Sequence, residues 1–133
     1  MAICGSLAVA FWVVAALCIR LDPGFVGDGL QGDLGFVASI PVCWLCIRLT
    51  CRAAKLEPHQ VLAGCLVVLG DAMMIDGVAL RWFPEVYSVS DQIARGGAAW
   101  LLWGYGLSAW IALIMADRAA KRAGAGVMRP AAS

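Results

Sequence analysis

The sequence predicts an all-α fold: one integral membrane bundle of four transmembrane helices in a single domain over residues 1–133. Three observations predict it. First, 62% of the residues are hydrophobic and only 14% are charged, where a soluble domain carries about 45–50% apolar residues and a quarter charged; the mean hydropathy is +0.84. A chain of 133 residues cannot hide that much apolar surface from water, and neither a soluble globule nor a disordered chain fits. Second, the apolar residues fall into four blocks near the ~20-residue length that crosses a ~30 Å hydrocarbon layer. Third, the strand alternation of a membrane barrel is absent, and with no water in the hydrocarbon each block must satisfy its backbone as a helix.

The four blocks are residues 2–19, 34–50, 61–80 and 97–115, followed by a tail over 116–133. The first contains no charge. It lacks a basic leader region and a small-x-small cleavage site, and Ala15-Ala16-Leu17 before Cys18 is in the wrong order for a lipoprotein site, so it reads as a retained span. The second is short, is expected to kink at Pro41, and holds Arg48, whose side chain is expected to snorkel to the headgroups. The third opens after Glu57-Pro58-His59, with Pro58 suited to a first helical turn and His59 read as a solvated end residue. The fourth leads into an Ala/Gly-rich tail expected to be mobile. Basic residues set the orientation. Arg48, Arg52, Lys55, Arg118, Lys121, Arg122 and Arg129 lie on one side, and Arg20, Arg81 and Arg95 on the other. That places both termini in the cytoplasm of a bacterial cell and the protein in its cytoplasmic membrane. The net charge of +1 gives no reason to expect nucleic acid.

Familiar motifs are mostly absent or misplaced. Gly27-Asp28-Gly29-Leu30-Gln31-Gly32 spells G-x-G-x-x-G, but it follows a membrane helix rather than a strand, which removes the dinucleotide reading. Asp22, Asp28 and Asp33 do not have the spacing of a calcium loop. A single histidine excludes a bis-histidine haem, and no zincin, P-loop or nucleophile-elbow pattern occurs. No cofactor and no metal are therefore expected. The sequence has no Asn to glycosylate.

Chemistry is concentrated in two carboxylates. Asp71 lies ~16 Å into the third span, near the bilayer centre, where a charged Asp costs about 2.5–3.5 kcal/mol on insertion scales. It must be protonated or meet a polar partner. Asp76, five residues on, lies in the outer third, within reach of headgroups or of Arg20, Arg81 or Arg95. At ~100° per residue the two carboxylates point roughly 140° apart, so they do not form an acid/base pair. Each is a candidate proton or cation site, but a structural polar contact to a neighbouring helix or headgroup is the plainer reading for both, more so for Asp76.

Of six cysteines, Cys43 and Cys46 form a C-x-x-C. Thiols at this spacing become reactive at a helix N-terminus, which would require the helix to begin at Pro41 with Ser39 as its cap. Residues 43–48 resemble the quinone-coupled disulfide-forming oxidoreductases, themselves four-span bundles. That family needs a second cysteine pair in its other outer loop, and residues 82–96 contain no cysteine. Packing as small apolar groups is the plainer reading.

Trp82, Phe83, Tyr87 and Trp100 suit an interfacial aromatic belt. Trp103, Leu107 and Trp110 form a helical stripe, and Gly104, Ser108 and Ala112 form a small-residue stripe for close helix packing. The runs Met73–Leu80, Phe83–Tyr87 and Ala99–Gly106 resemble a domain-of-unknown-function family of small bacterial four-span membrane proteins, mainly over residues 61–115. The resemblance implies the four-span layout and marks Asp76, Phe83, Pro84, Trp103 and Tyr105, with Asp76 holding the Phe83-Pro84 corner. It implies no activity. It also implies Pro-Gly where this chain has Asp71-Ala72, so Asp71 belongs to this chain in particular.

The leading expectation is a non-enzymatic membrane protein that associates with itself or with a membrane partner through the Gly104/Ser108/Ala112 face. A small transporter or proton-coupled channel using Asp71 and Asp76 is the first alternative. A thiol-disulfide oxidoreductase using Cys43 and Cys46 is the second.

Overall fold

A computed structural model describes residues 2–127, with side chains over residues 3–122; the last six residues of the expected tail, Arg129 among them, lie outside the described residues. The fold is all-helical, with no strand among the described residues. Four long helices, α1 (Ala2–Leu21), α2 (Leu30–Ala53), α3 (Val61–Trp82) and α4 (Asp91–Val127), are joined by short 3-10 turns. Each is long and apolar enough to cross a membrane.

Local chemistry places the boundaries. α1 ends where Asp22-Pro23 follows, because proline disfavours helical backbone in the residue before it. Phe83-Pro84 stops α3 in the same way. Gly29, at φ +93°, turns the chain into α2. α2 ends in a Schellman motif: Leu56 N–H bonds the Cys51 carbonyl at 3.0 Å and Lys55 N–H the Arg52 carbonyl at 3.3 Å. Lys55 takes the left-handed position, at φ 49°, where glycine is usual. α2 starts before, and α4 on both sides of, the apolar blocks read from sequence, because their flanking turns are polar yet compatible with helix.

The helices pack around a seam in which α3 and α4 are central. α1 lies chiefly on α3, α3 on α4, and α4 on α2, while α1 and α2 scarcely touch. The 22–29 and 83–90 connections meet at one end, here the loop end; the opposite end carries the 54–60 connection. At the loop end the 3-10 strap Pro23–Val26 is wedged between α2 and α4 by glycines. A Cβ on Gly35 would overlap the Phe25 carbonyl oxygen, and one on Gly96 the Val26 carbonyl oxygen. Gly32 is held as closely against the Gly27 carbonyl. The G-x-G-x-x-G string is thus half turn and half helix, and its last glycine serves backbone packing. Asp28 accepts from Gln92 at 2.7 Å and Asp22 from Gln31 at 3.3 Å.

Buried apolar residues form three clusters strung along the seam, from Ile19, Ala79 and Leu101 at the loop end, through Ala8, Val68 and Ala72, to Ile47, Cys65 and Ala112. The outward faces are also apolar: Val37, Met74, Leu102 and Trp110 are all exposed. A soluble monomer rarely exposes apolar surface this widely.

Candidate functional site

Among the described residues, Asp76 is the most deeply enclosed charged side chain, 4% exposed. α3 carries it about six residues (~9 Å) from its loop end. The strap after Phe83-Pro84 brings Tyr87 back over it, and α4 brings Tyr105 alongside. Both tyrosine hydroxyls donate to the carboxylate, Tyr87 to Oδ1 and Tyr105 to Oδ2. Trp12 of α1 completes the chain, its Nε1–H donating to the Tyr87 hydroxyl oxygen at 2.9 Å. The network Trp12–Tyr87–Asp76–Tyr105 therefore ties three helices and the α3–α4 connection at one point. Two O–H donors supply the acceptor-only carboxylate with what water would otherwise provide. Burial, and then the Asp76 carboxylate, push the Tyr87 hydroxyl well above the usual phenol range, with the Trp12 N–H pulling weakly the other way.

This differs from the arginine or headgroup contact expected of Asp76. Arg20 turns instead to backbone, donating to the carbonyls of Glu85 at 2.7 Å and Val86 at 3.4 Å, so it secures the same connection from outside. Nor does Asp76 hold Phe83-Pro84 directly; it holds Tyr87, four residues further on. Tyr87 was expected in an interfacial belt and is instead fully buried. Trp12 carried no signal of its own in the sequence. A buried phenol and a part-buried indole each need a polar partner; Asp76 accepts from the Tyr87 phenol, and that phenol's oxygen accepts from the Trp12 indole.

Asp71 is elsewhere. It is half-buried on the α1 side of α3, its Oδ2 4.0 Å from where a Cβ on Gly5 would stand, abreast of the first turn of α1. The positive end of a helix macrodipole lies there. No salt bridge among the described residues involves Asp71.

Cys43 and Cys46 lie within an unbroken α2, thirteen and sixteen residues past its first residue, and both are free thiols. The helix does not begin at Pro41. Ser39 is no cap: its hydroxyl donates to the Phe36 carbonyl at 2.6 Å. The condition that would make the pair redox-like is absent, and the Cys43 thiol instead approaches the Gly104 carbonyl at 3.6 Å. α4 reinforces the turn before Pro41 with two indoles. Trp100 donates to the Gly35 carbonyl at 3.2 Å, and Trp103 to the Phe36 carbonyl at 3.3 Å and the Ser39 hydroxyl at 3.1 Å.

The small-residue stripe is used inside the chain. Ser108 and Ala112 are buried, Ala112 against Ile47 and Cys65, and Gly104 faces Cys43 across the α2–α4 contact. Gly104 leaves room there, since a Cβ would only just touch Cys43 Sγ at 3.8 Å. Beside this contact lies a cavity of about 160 Å³, lined by all four helices, including Trp12 and Ala15 of α1, Val42 and Cys46 of α2, Val68 of α3 and Tyr105 of α4. It lies where α1 and α2 barely touch, and its exposed lining residues Val14 of α1 and Val42 of α2 carry it to the flank of the molecule. Its wall is nearly all apolar.

No group of three or more potential metal ligands occurs among the described residues. No curated protein and no solved structure matches the chain. A family model does match, over residues 33–119, a stretch that includes Asp76, Tyr87 and Tyr105 but not Trp12; the chain belongs to this family of unknown function, DUF5367.

Proposed function

We propose that this is a non-enzymatic, multi-pass protein of the cell membrane, with both termini cytoplasmic, whose four spans form a receptacle for an apolar guest. The guest is a hydrocarbon chain of a lipid or lipid-like molecule, entering from the bilayer between α1 and α2. The observation that carries the reading is the flank-opening apolar cavity between those helices. A dry cavity of ~150 Å³ lined by aliphatic and aromatic groups is large enough to hold benzene. One that opens into hydrocarbon meets chains rather than water. The Trp12–Tyr87–Asp76–Tyr105 network stands at one wall and keeps α1 in place while the α1–α2 side stays open.

Gly104→Leu places a side chain in the cavity. Native mass spectrometry of the full chain released from membranes in mild detergent is expected to show a retained lipid-like molecule in the wild type and its loss in Gly104→Leu. Equal retention by both would overturn the proposal.

Asp71 favours a second reading, transport coupled to a proton or cation, because its carboxylate is half-buried within a span and has no salt-bridge partner among the described residues. Liposome flux that is the same for the wild type and Asp71→Asn would remove it. Association with a second copy or a partner would have to use a face other than Gly104/Ser108/Ala112, which the chain itself covers.

A further inference from the structure

A second cleft lies between α2 and α4 at the end opposite the loops. It measures about 410 Å³, and Arg48, Arg52, Arg118 and Arg122 all line it. Arg48 and Arg52 are one turn apart on α2, and Arg118 and Arg122 one turn apart on α4, so two basic ladders face one space. No carboxylate lines it. The described residues contain two salt bridges, His59–Glu57 and Lys121–Asp117, and neither uses an arginine. Asp117, the nearest acidic residue in sequence, is therefore engaged by Lys121 at 2.7 Å. Trp44 stacks under the Arg48 guanidinium, 4.7 Å from the ring centroid, which orients that cation. Val61 and Met115 add apolar wall.

Orientation in a membrane explains an excess of basic residues on one side, but it does not explain why four of them converge on one cleft. Four guanidiniums lining one space with no carboxylate among them concentrate positive charge there, which favours an anion carrying more than one negative charge. Guanidinium pairs in a fixed fork bind phosphate oxygens two at a time. Basic pockets between spans at the membrane surface suit anionic headgroups. In the membrane placement proposed above, Arg48, about five residues (~8 Å) before the end of α2, stands near the headgroup region, and Trp44 extends the cleft wall towards the middle of the span.

We propose that this cleft binds the phosphates of an anionic phospholipid, with two phosphate groups matching its two arginine ladders. The full chain is reconstituted in nanodiscs of phosphatidylcholine alone, or with phosphatidylglycerol or diphosphatidylglycerol added. It is then released and weighed by native mass spectrometry, and its thermal midpoint is measured in each bilayer. Diphosphatidylglycerol is expected to co-release in preference to the singly charged lipid and to raise the midpoint most. Arg48→Gln/Arg118→Gln is expected to weaken that retention at least tenfold, while Arg81→Gln/Arg95→Gln, which removes as much charge at the opposite end, leaves it unchanged. An unchanged midpoint in phosphatidylcholine shows that the first variant still folds. Equal retention of all three lipids, or equal loss in both variants, would overturn the proposal. So would displacement by millimolar inorganic pyrophosphate as complete as by the lipid itself, which would assign the cleft to a soluble phosphate.

Discussion

Asp76 is held by hydroxyls rather than by a cation, and that choice has consequences at single side chains. A hydrogen bond to a buried charged group is worth about 1.5–3 kcal/mol. Tyr87→Phe is expected to destabilise the chain by that amount, more than Tyr105→Phe, because Tyr87 is wholly buried and also accepts from Trp12. Asp76→Ala is expected to exceed either, since it strands two hydroxyls at about 1–3 kcal/mol each. Thermal unfolding in detergent measures all three. The raised position of Tyr87 also gives a pH dependence. A phenol harder to ionise in the folded state than in the unfolded one contributes stability that is fully present below the ordinary tyrosine range near pH ~10 and is lost as pH rises through its higher folded value. Unfolding midpoints are expected to fall above that pH, with a shallower fall in Tyr87→Phe.

Each element depends on a few backbone positions. The loop-end strap is seated against Gly35 and Gly96 with no space for a methyl group. Gly35→Ala and Gly96→Ala are expected to cost about 1–3 kcal/mol through forced backbone shifts. Gly70→Ala, in the middle of α3 with nothing within 4 Å, is expected to be neutral or to stabilise by up to about 1 kcal/mol. Lys55 at the end of α2 carries the opposite strain. Its left-handed backbone costs a side-chain-bearing residue about 1–2 kcal/mol, so Lys55→Gly is expected to raise the unfolding midpoint while leaving the Schellman bonds in place. These substitutions separate glycines needed for close approach from those that merely interrupt an apolar run.

At the scale of the whole molecule, α1 packs on α3 and α2 on α4, while α1 and α2 barely touch each other, and both clefts follow from that arrangement. One opens between α1 and α2. The other opens beside the α2–α4 contact, where Arg48 and Arg52 of α2 face Arg118 and Arg122 of α4. Among the described residues, Arg48, Arg52, Lys55, Arg118, Lys121 and Arg122 lie towards the end opposite the loops, and Arg20, Arg81 and Arg95 towards the loop end. Reporters fused within 54–60 and after Ser133 are therefore expected to register cytoplasm, and reporters within 22–29 and 83–90 the exterior. Added lysines in 83–90 are expected to erode that preference.

Four apolar helices were determined by the sequence alone, because hydropathy over ~20 residues is a local sum and hydrocarbon leaves the backbone no alternative to helix. The sequence also put a costly carboxylate in α3, but it pointed to Asp71, the deeper of the two along the helix, whereas Asp76 is the enclosed one; depth is a local property and burial depends on helix rotation. What satisfies Asp76 was decided by tertiary structure alone: Tyr87 reaches it around a proline corner, Trp12 from a span sixty-four residues away, and Tyr105 from a helix whose rotation no periodicity specifies. The same holds for the stripe of Gly104, Ser108 and Ala112. Its spacing shows that some helix packs closely there, and only the assembled chain shows that the helix is its own α2. Pairwise contacts between distant spans depend on relative rotation and order, and neither is written in the local pattern of apolar residues.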